Sequence, residues 1–200
     1  MTYKHTSKLA ILLISALTAA AGQAAETNFT GPTVGVRLSA VDNKTDYQVL
    51  GVDYTSSHND TALDLTAGYG FNLGKDWVLN VGASYTVNDS DFGTITYQDS
   101  GTQTVSVKLK DHWSVFVEPG YRFAPQWLGY ASLSYHSAEA EYRDSQIGTG
   151  TVDADGYGYG LGLSYAYNRN VEVGIEVKQI DFSDADAKVT QAGIRFNYRF

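Results

Sequence analysis

The sequence holds no cysteine among its 200 residues. A disulfide framework, a Cys-ligated zinc site and thiol chemistry are thereby excluded. Proline is scarce, at 3 residues, which argues against a disordered or collagen-like chain. Cations are few: 14 Lys and Arg stand against 22 Asp and Glu. Setting aside Lys4 and Lys8 leaves 12 against 22, a charge of about −10. Nucleic acid is an ill-matched partner for such a chain. Beyond residue 25 no apolar run is long enough for a transmembrane helix, and no long window of Ala, Leu, Glu and Lys favours a helix. Gly, Tyr and Ser are abundant instead, which points to an all-β chain. If that chain enters a membrane it must do so as a closed barrel, because lipid offers no partner to unpaired backbone groups.

The first 25 residues follow other rules. Lys4 and Lys8 make a cationic start, residues 9–17 a short apolar core, and residues 19–25 a small-residue end. That order is a secretory signal peptide, with an apolar core too short to span a bilayer. Cleavage after Ala24 fits best, with small Gly22 three positions from the cut; Ala21 and Ala25 are alternatives. The expected division is a leader over 1–24 and a barrel domain over 29–200.

Eight segments of the remainder alternate apolar and polar residues with period two: 34–40, 63–71, 79–87, 113–123, 130–136, 157–167, 171–178 and 194–200. Most match the length a tilted strand needs to cross a bilayer. Pro119 is the anomaly. It cannot donate a ladder hydrogen bond, and a closed barrel has no edge to hide it on, so a bulge or local distortion is expected there. Short turns at 72–76, 124–126 and 168–170 alternate with longer polar, acidic stretches near 41–61, 88–111, 137–155 and 181–189. Short at one end and long at the other is the plan of an outer-membrane barrel. Within 88–111, residues 94–97 and 104–108 are β-rich and flank Asp99-Ser100-Gly101-Thr102, which reads as a hairpin prolonging the wall beyond the membrane.

A soluble barrel would turn the apolar face inward around a ligand. Here the polar faces are Gly, Ser and Thr with charges of both signs, which suits the crowded lumen of eight strands. Aromatics cluster at both ends of the apolar faces: Phe71, Trp77, Phe123 and Trp127 at the short-turn end, Tyr85, Trp113, Tyr135 and Tyr157 at the other. These read as two interfacial girdles. The lumen then receives Arg37, Asp64, Glu118, Arg122, Glu172, Glu176, Lys178 and Arg195, and cross-barrel salt bridges are expected among them. The expected fold is therefore all-β: an eight-stranded antiparallel up-and-down transmembrane barrel with short periplasmic turns and long extracellular loops.

The stretches 117–123, 156–163, 170–173 and the closing Phe196-Asn197-Tyr198-Arg199-Phe200 resemble the small outer-membrane barrels of the OmpX/Ail/Lom and opacity-porin type, with the membrane half of OmpA a more distant relative in plan. The resemblance implies residence in the outer membrane of a diderm bacterium, and contact with its lipid and lipopolysaccharide. It also implies that Phe196, Tyr198 and Phe200 form the signal read by the outer-membrane assembly machinery. The leading role is a structural or surface-interaction protein, a monomer with a filled polar interior and loops that meet host or other surface ligands. A narrow low-conductance, porin-like channel comes second and an enzyme acting on lipid A third.

Chemistry of a site is weakly signalled. His136-Ser137, with Glu139 and Glu141 nearby, holds the ingredients of a nucleophile and base, but neighbours on a strand point to opposite faces. His58 and His112 fall near loops and read as rim residues. Asp153-Ala154-Asp155 and Asp184-Ala185-Asp186 lack the remaining ligands of an EF-hand loop. No cofactor is called for. One test follows from the closing segment: deleting Phe200 should lower the yield of barrel in the outer membrane while leaving refolding in detergent intact. An undiminished membrane yield would make Phe200 a girdle aromatic and nothing more.

Overall fold

The computed structural model describes residues 28–49, 52–99, 101–144, 148–182 and 187–200. The leader expected over 1–24, its expected cut after Ala24 and the Asp184-Ala185-Asp186 pair lie outside them. Nine strands are present: β1 (Gly31–Val49), β2 (Val52–Gly74), β3 (Trp77–Thr86), β4 (Ser90–Asp99), β5 (Gly101–Ala124), β6 (Trp127–Asp144), β7 (Gly148–Ala166), β8 (Val171–Phe182) and β9 (Ala187–Arg199). Every pairing is antiparallel. β3 and β4 are successive pieces of one wall strand, since both pair with β5. The ring therefore has eight members, and β1 closes it on β9 from Val34↔Tyr198 through Ala40↔Ala192. Closure removes the edge that the aromatic closing strand would otherwise expose.

Period two decides the faces. Leu38, Leu65, Leu161, Val177 and Phe196 point outward and stay exposed, while Arg37, Asp64, Ser164, Glu176 and Arg195 alternate with them and are buried. An uninterrupted apolar exterior of this extent belongs in lipid. The aromatics expected in girdles lie on this outer face; Trp77 with Tyr121 and Tyr135 with Tyr157 pack edge-on, while Phe123 and Trp127 stack.

The short turns are shaped by asparagine. Asn72 Oδ1 accepts from Gly74 N (3.0 Å), and Gly74 supplies the positive φ of 115° that the turn demands. Asn168 Oδ1 accepts from both Asn170 N and Val171 N at 2.8 Å. Pro119 does not shift the register. The β5–β6 ladder passes from Val117↔Leu133 to Gly120↔Tyr130 in step, with Glu118 and Pro119 outside it, while Leu79↔Pro119 holds on the β3 side. The missing N–H thus interrupts one ladder without a bulge.

The polar stretches at the other end depart from the picture of open loops. Pairing runs on to Val49↔Val52, Asp99↔Gly101, Asp144↔Gly148 and Phe182↔Ala187. The hairpin expected over 94–108 is present in the backbone, with Thr94↔Ser106 and Tyr97↔Gln103. Its physical support is a second core. Val41, Ala62, Leu109, Ala138, Ile180 and Phe182 are buried together inside the wall. Above the lipid belt the surroundings are water, so the ordinary soluble arrangement returns: apolar inside, Asp42, Glu139 and Asp153 on the outer rows. A bulge between Lys110 and Trp113 in β5 makes part of this core. Asp111 takes φ 50° there, and the extra residue turns Leu109 to the inside, while His112 keeps the inward parity of Ser114 and Glu118.

This core should be measurable. Ile180→Ala should cost about 2–5 kcal/mol in urea unfolding of the detergent-folded barrel. Ile175→Ala on the lipid face, five residues earlier on the same strand, should change stability by less than about 1 kcal/mol. Equal effects would show that no separate outer core exists.

Candidate functional site

The lumen is organised in layers. At the short-turn mouth the chain entering β1 folds inward. Phe29, in a left-handed conformation (φ 71°) that is uncommon for a bulky residue, is 1% exposed and packs with Val78, Leu128 and Ala166. Arg199 Nη1 donates to Gly31 O (3.0 Å) and Asn28 Nδ2 to Pro125 O (2.7 Å), which holds this segment across the mouth.

Above it lies an ionic layer. Arg195 Nη1 donates to both carboxylate oxygens of Glu118 at 3.0 Å, and Nη2 donates to Ser164 Oγ at 3.3 Å. The same guanidinium stands 3.6 Å from Glu172 and 3.8 Å from Glu176, with the Tyr130 ring 4.3 Å from its centre. Glu176 is the second hub: its Oε1 receives Arg37 Nη1 and Lys178 Nζ at 3.0 Å each, and its Oε2 receives Tyr130 OH at 3.0 Å. Arg199 Nη2 donates to Glu172 Oε2 (2.9 Å), and Arg37 Nε lies 3.7 Å from Asp64. Four acids thus meet four bases, all buried. Charges so enclosed are tolerable only when matched this closely.

Seven of the eight charges assigned to the lumen come together here. Arg122 does not. It is half-buried near the short turns and donates to Lys75 O. Arg199 and Tyr130 belong to the layer without having been singled out, although strand alternation puts both on inward positions. Small residues opposite make the space. A Cβ at Gly162 would run into the Tyr130 ring, so glycine there lets the phenol lie across to Glu176.

The next layer is a chain of neutral donors and acceptors. Thr86 Oγ1 donates to Asp64 Oδ1 (2.7 Å) and is 3.0 Å from His112 Nδ1. His112 Nε2 meets His136 Nδ1 at 2.9 Å, and His136 Nε2 meets Ser134 Oγ at 2.8 Å. His112 is therefore no rim residue: it continues the inward row of Ser114 and Glu118 and packs against Phe182. The side chain of His58 lies outside the described residues. His136 and Ser137 face opposite sides of the wall, and the hydroxyl actually bonded to His136 is the buried Ser134. The outer apolar core lies beyond this layer, with Phe182 against the His112 ring. Among the described residues, no group of three His, Asp or Glu is placed to hold a metal ion.

A cavity of about 20 Å³ beside Arg37, Glu118, Arg195 and Arg199 is room for about one water molecule. Arg37 Nε and Arg195 Nε, both without a hydrogen-bond acceptor, are available to it.

A closed antiparallel barrel with an apolar exterior and an ionic, stoppered lumen defines an integral protein of the bacterial outer membrane. Residues 9–200 match the family model described as the outer membrane protein beta-barrel domain, and the chain belongs to that family. Among solved structures it is similar to Ail, the attachment invasion locus protein of Yersinia pestis, in complex with the heparin analogue sucrose octasulfate, with 19% identity, 84% of this chain and 97% of that one covered, and a TM-score of 0.58. It is also similar to Neisserial surface protein A, with 16% identity, 84% and 97% coverage, and a TM-score of 0.55. At such identity the likeness is one of fold. No curated protein matches the chain.

The ionic layer predicts a specific sensitivity. Glu118→Ala leaves Arg195 with its nearest carboxylate removed and should destabilise the folded barrel by about 3–5 kcal/mol. Urea titration in detergent measures it, and an unchanged midpoint would mean that the pair contributes nothing.

Proposed function

We propose that the protein is a surface-interaction barrel, a rigid anchor whose outer wall presents binding edges and faces to the exterior, and that it does not conduct. The observation that carries this reading is the sequence of layers in the lumen. Apolar residues close both ends of an ionic and a histidine layer, and the one cavity described above accommodates about one water. A conduction path needs continuous water or a file of exchangeable sites. Meanwhile pairing continues past the lipid belt as an ordered wall, which a bare membrane plug would not need.

The role given to the fold relative Ail by its name, attachment, agrees with this reading, but its polyanionic ligand does not transfer. The outer rows above the belt here carry Asp42, Glu139, Asp153, Asp155 and Asp181, so a cationic or neutral partner is favoured over a sulfated one. Lipopolysaccharide then surrounds a monomer, and Phe196, Tyr198 and Phe200, all exposed on the lipid face, serve assembly. The eight lumen charges act as structure.

In planar bilayers the purified protein should give no resolved current steps. Cells producing it should adhere to immobilised extracellular proteins, and replacing residues 88–111 by a short turn should abolish adhesion while the barrel still shows heat-modifiable mobility. Reproducible current steps that change when the lumen charges are substituted, with adhesion unaffected by the trimming, would replace this reading with the channel.

A further inference from the structure

A row of hydrogen-bonded side chains crosses the inner face of four neighbouring wall strands at one height. It runs from Asp64 on β2 through Thr86 on β3 and His112 on β5 to His136 and Ser134 on β6. The backbone ladder is interrupted at the same height. The β2–β3 ladder ends at Asp64↔Thr86, with Val87 N donating to Leu63 O just beyond, and β5 is bulged between Lys110 and Trp113. Side-chain bonds therefore tie β2, β3, β5 and β6 together where backbone bonds give out. They do so at the foot of the outer core, whose Phe182 stands edge-on to the His112 ring at 6.4 Å.

The order of donors along the row is fixed. Thr86 gives its one hydroxyl proton to Asp64 Oδ1, so its oxygen accepts from His112 Nδ1–H. A neutral His112 then has a bare Nε2, which accepts from His136 Nδ1–H at 2.9 Å, and the bare His136 Nε2 accepts from the Ser134 hydroxyl. One added proton fits, because Ser134 Oγ can turn to accept from His136 Nε2–H. A second does not. His112 Nε2 and His136 Nδ1 would then both be donors facing one another, on cations whose ring centres are 5.1 Å apart. The surroundings oppose even the first. Arg37 of β1 and Lys178 of β8 face the pair. The acids that face it, Asp64 of β2 and Glu176 of β8, are already shared with those cations. β7 offers Gly156 and Gly158 beside His136, which carry no charge.

Histidines released to water take up two protons below about pH 6.5, and the clasped pair takes one at most. The released state binds more protons, so the stability this row supplies is complete above that pH and is lost as the pH falls. We propose that the His112–His136 pair is an acid-released clasp. Neutral, it pins the outer wall to the membrane barrel; proton uptake frees the wall above it while the ring below stays closed. The part of the protein that faces the exterior thereby responds to acid, whatever partner it meets.

The test uses residues 25–200 with His58→Gln in lipid nanodiscs, so that His112 and His136 are the only histidines. Nitrogen NMR of isotope-labelled histidine should show two neutral rings, both protonated at Nδ1, at about pH 7.5. An imidazolium or two Nε2-protonated rings at that pH would overturn the clasp. Hydrogen exchange, corrected for the intrinsic pH dependence of amides, should show opening of 52–62 and 90–110 that grows about tenfold per pH unit from about pH 6.5 to about pH 5. Residues 114–123 and 193–199 should stay protected throughout. Opening that ignores pH, or that rises equally in every strand, would overturn the proposal. In the pair His112→Gln and His136→Gln the pH slope should vanish. A slope that persists there would assign the response to Asp64 and Glu176 and overturn the role of the histidines. Where that double variant does not fold, the nitrogen spectrum and the exchange slope of the histidine-bearing protein still decide the matter.

Discussion

Charge neutrality inside a space without bulk water is the condition on which the rest of this barrel depends. Arg195 answers Glu118, Glu172 and Glu176, and Glu176 in turn answers Arg37 and Lys178. No one of these groups could be buried alone, since desolvating a single charge costs several kcal/mol even after relaxation. The residues come from β1, β2, β5, β8 and β9, so the layer also fixes the strands relative to one another across the lumen. Glycines on the inward row of β7 make this density feasible. With a side chain at Gly162 or Gly158, neither Tyr130 nor the Ser134–His136 pair would fit where it lies.

Along the barrel axis the polarity pattern inverts once. Within the membrane the exterior is apolar and the lumen ionic; beyond it the lumen is apolar and the exterior acidic. A single alternating strand serves both regimes because the solvent changes and not the backbone. β8 shows this in twelve residues: Glu172, Glu176 and Lys178 point inward at membrane depth, then Ile180 and Phe182 do so above it, while the outward row passes from Ile175 and Val177 to Gln179 and Asp181. The wall outside the membrane is thus held by its own core.

Much of the architecture was legible from alternation because a strand's side-chain period is exact and lipid tolerates no unpaired backbone. The closing of β9 on β1, the outward aromatics and the inward acids and bases all follow from that. What escaped the reading has particular causes. The outer stretches read as loops because their polar residues face water, and their inward apolar partners are spaced across four hairpins that only register brings together. His112 read as a rim residue from its place beside a long polar stretch, although it shares the inward parity of Ser114 and Glu118; what the bulge at Asp111 hid from periodicity is the inward turn of Leu109. Phe29 read as the start of the domain and not as a stopper, because folding back into the mouth requires the finished ring.

The sequence by itself determined an eight-strand membrane barrel, which face of each strand meets lipid, and that cations and anions would share the lumen in near balance. These depend on local order, and local order is written in every second residue. Only the tertiary structure decided which acid meets which base. Glu118 and Arg195 are 77 residues apart and touch only because the stagger of the closed ring brings β5 and β9 to the same height across the lumen.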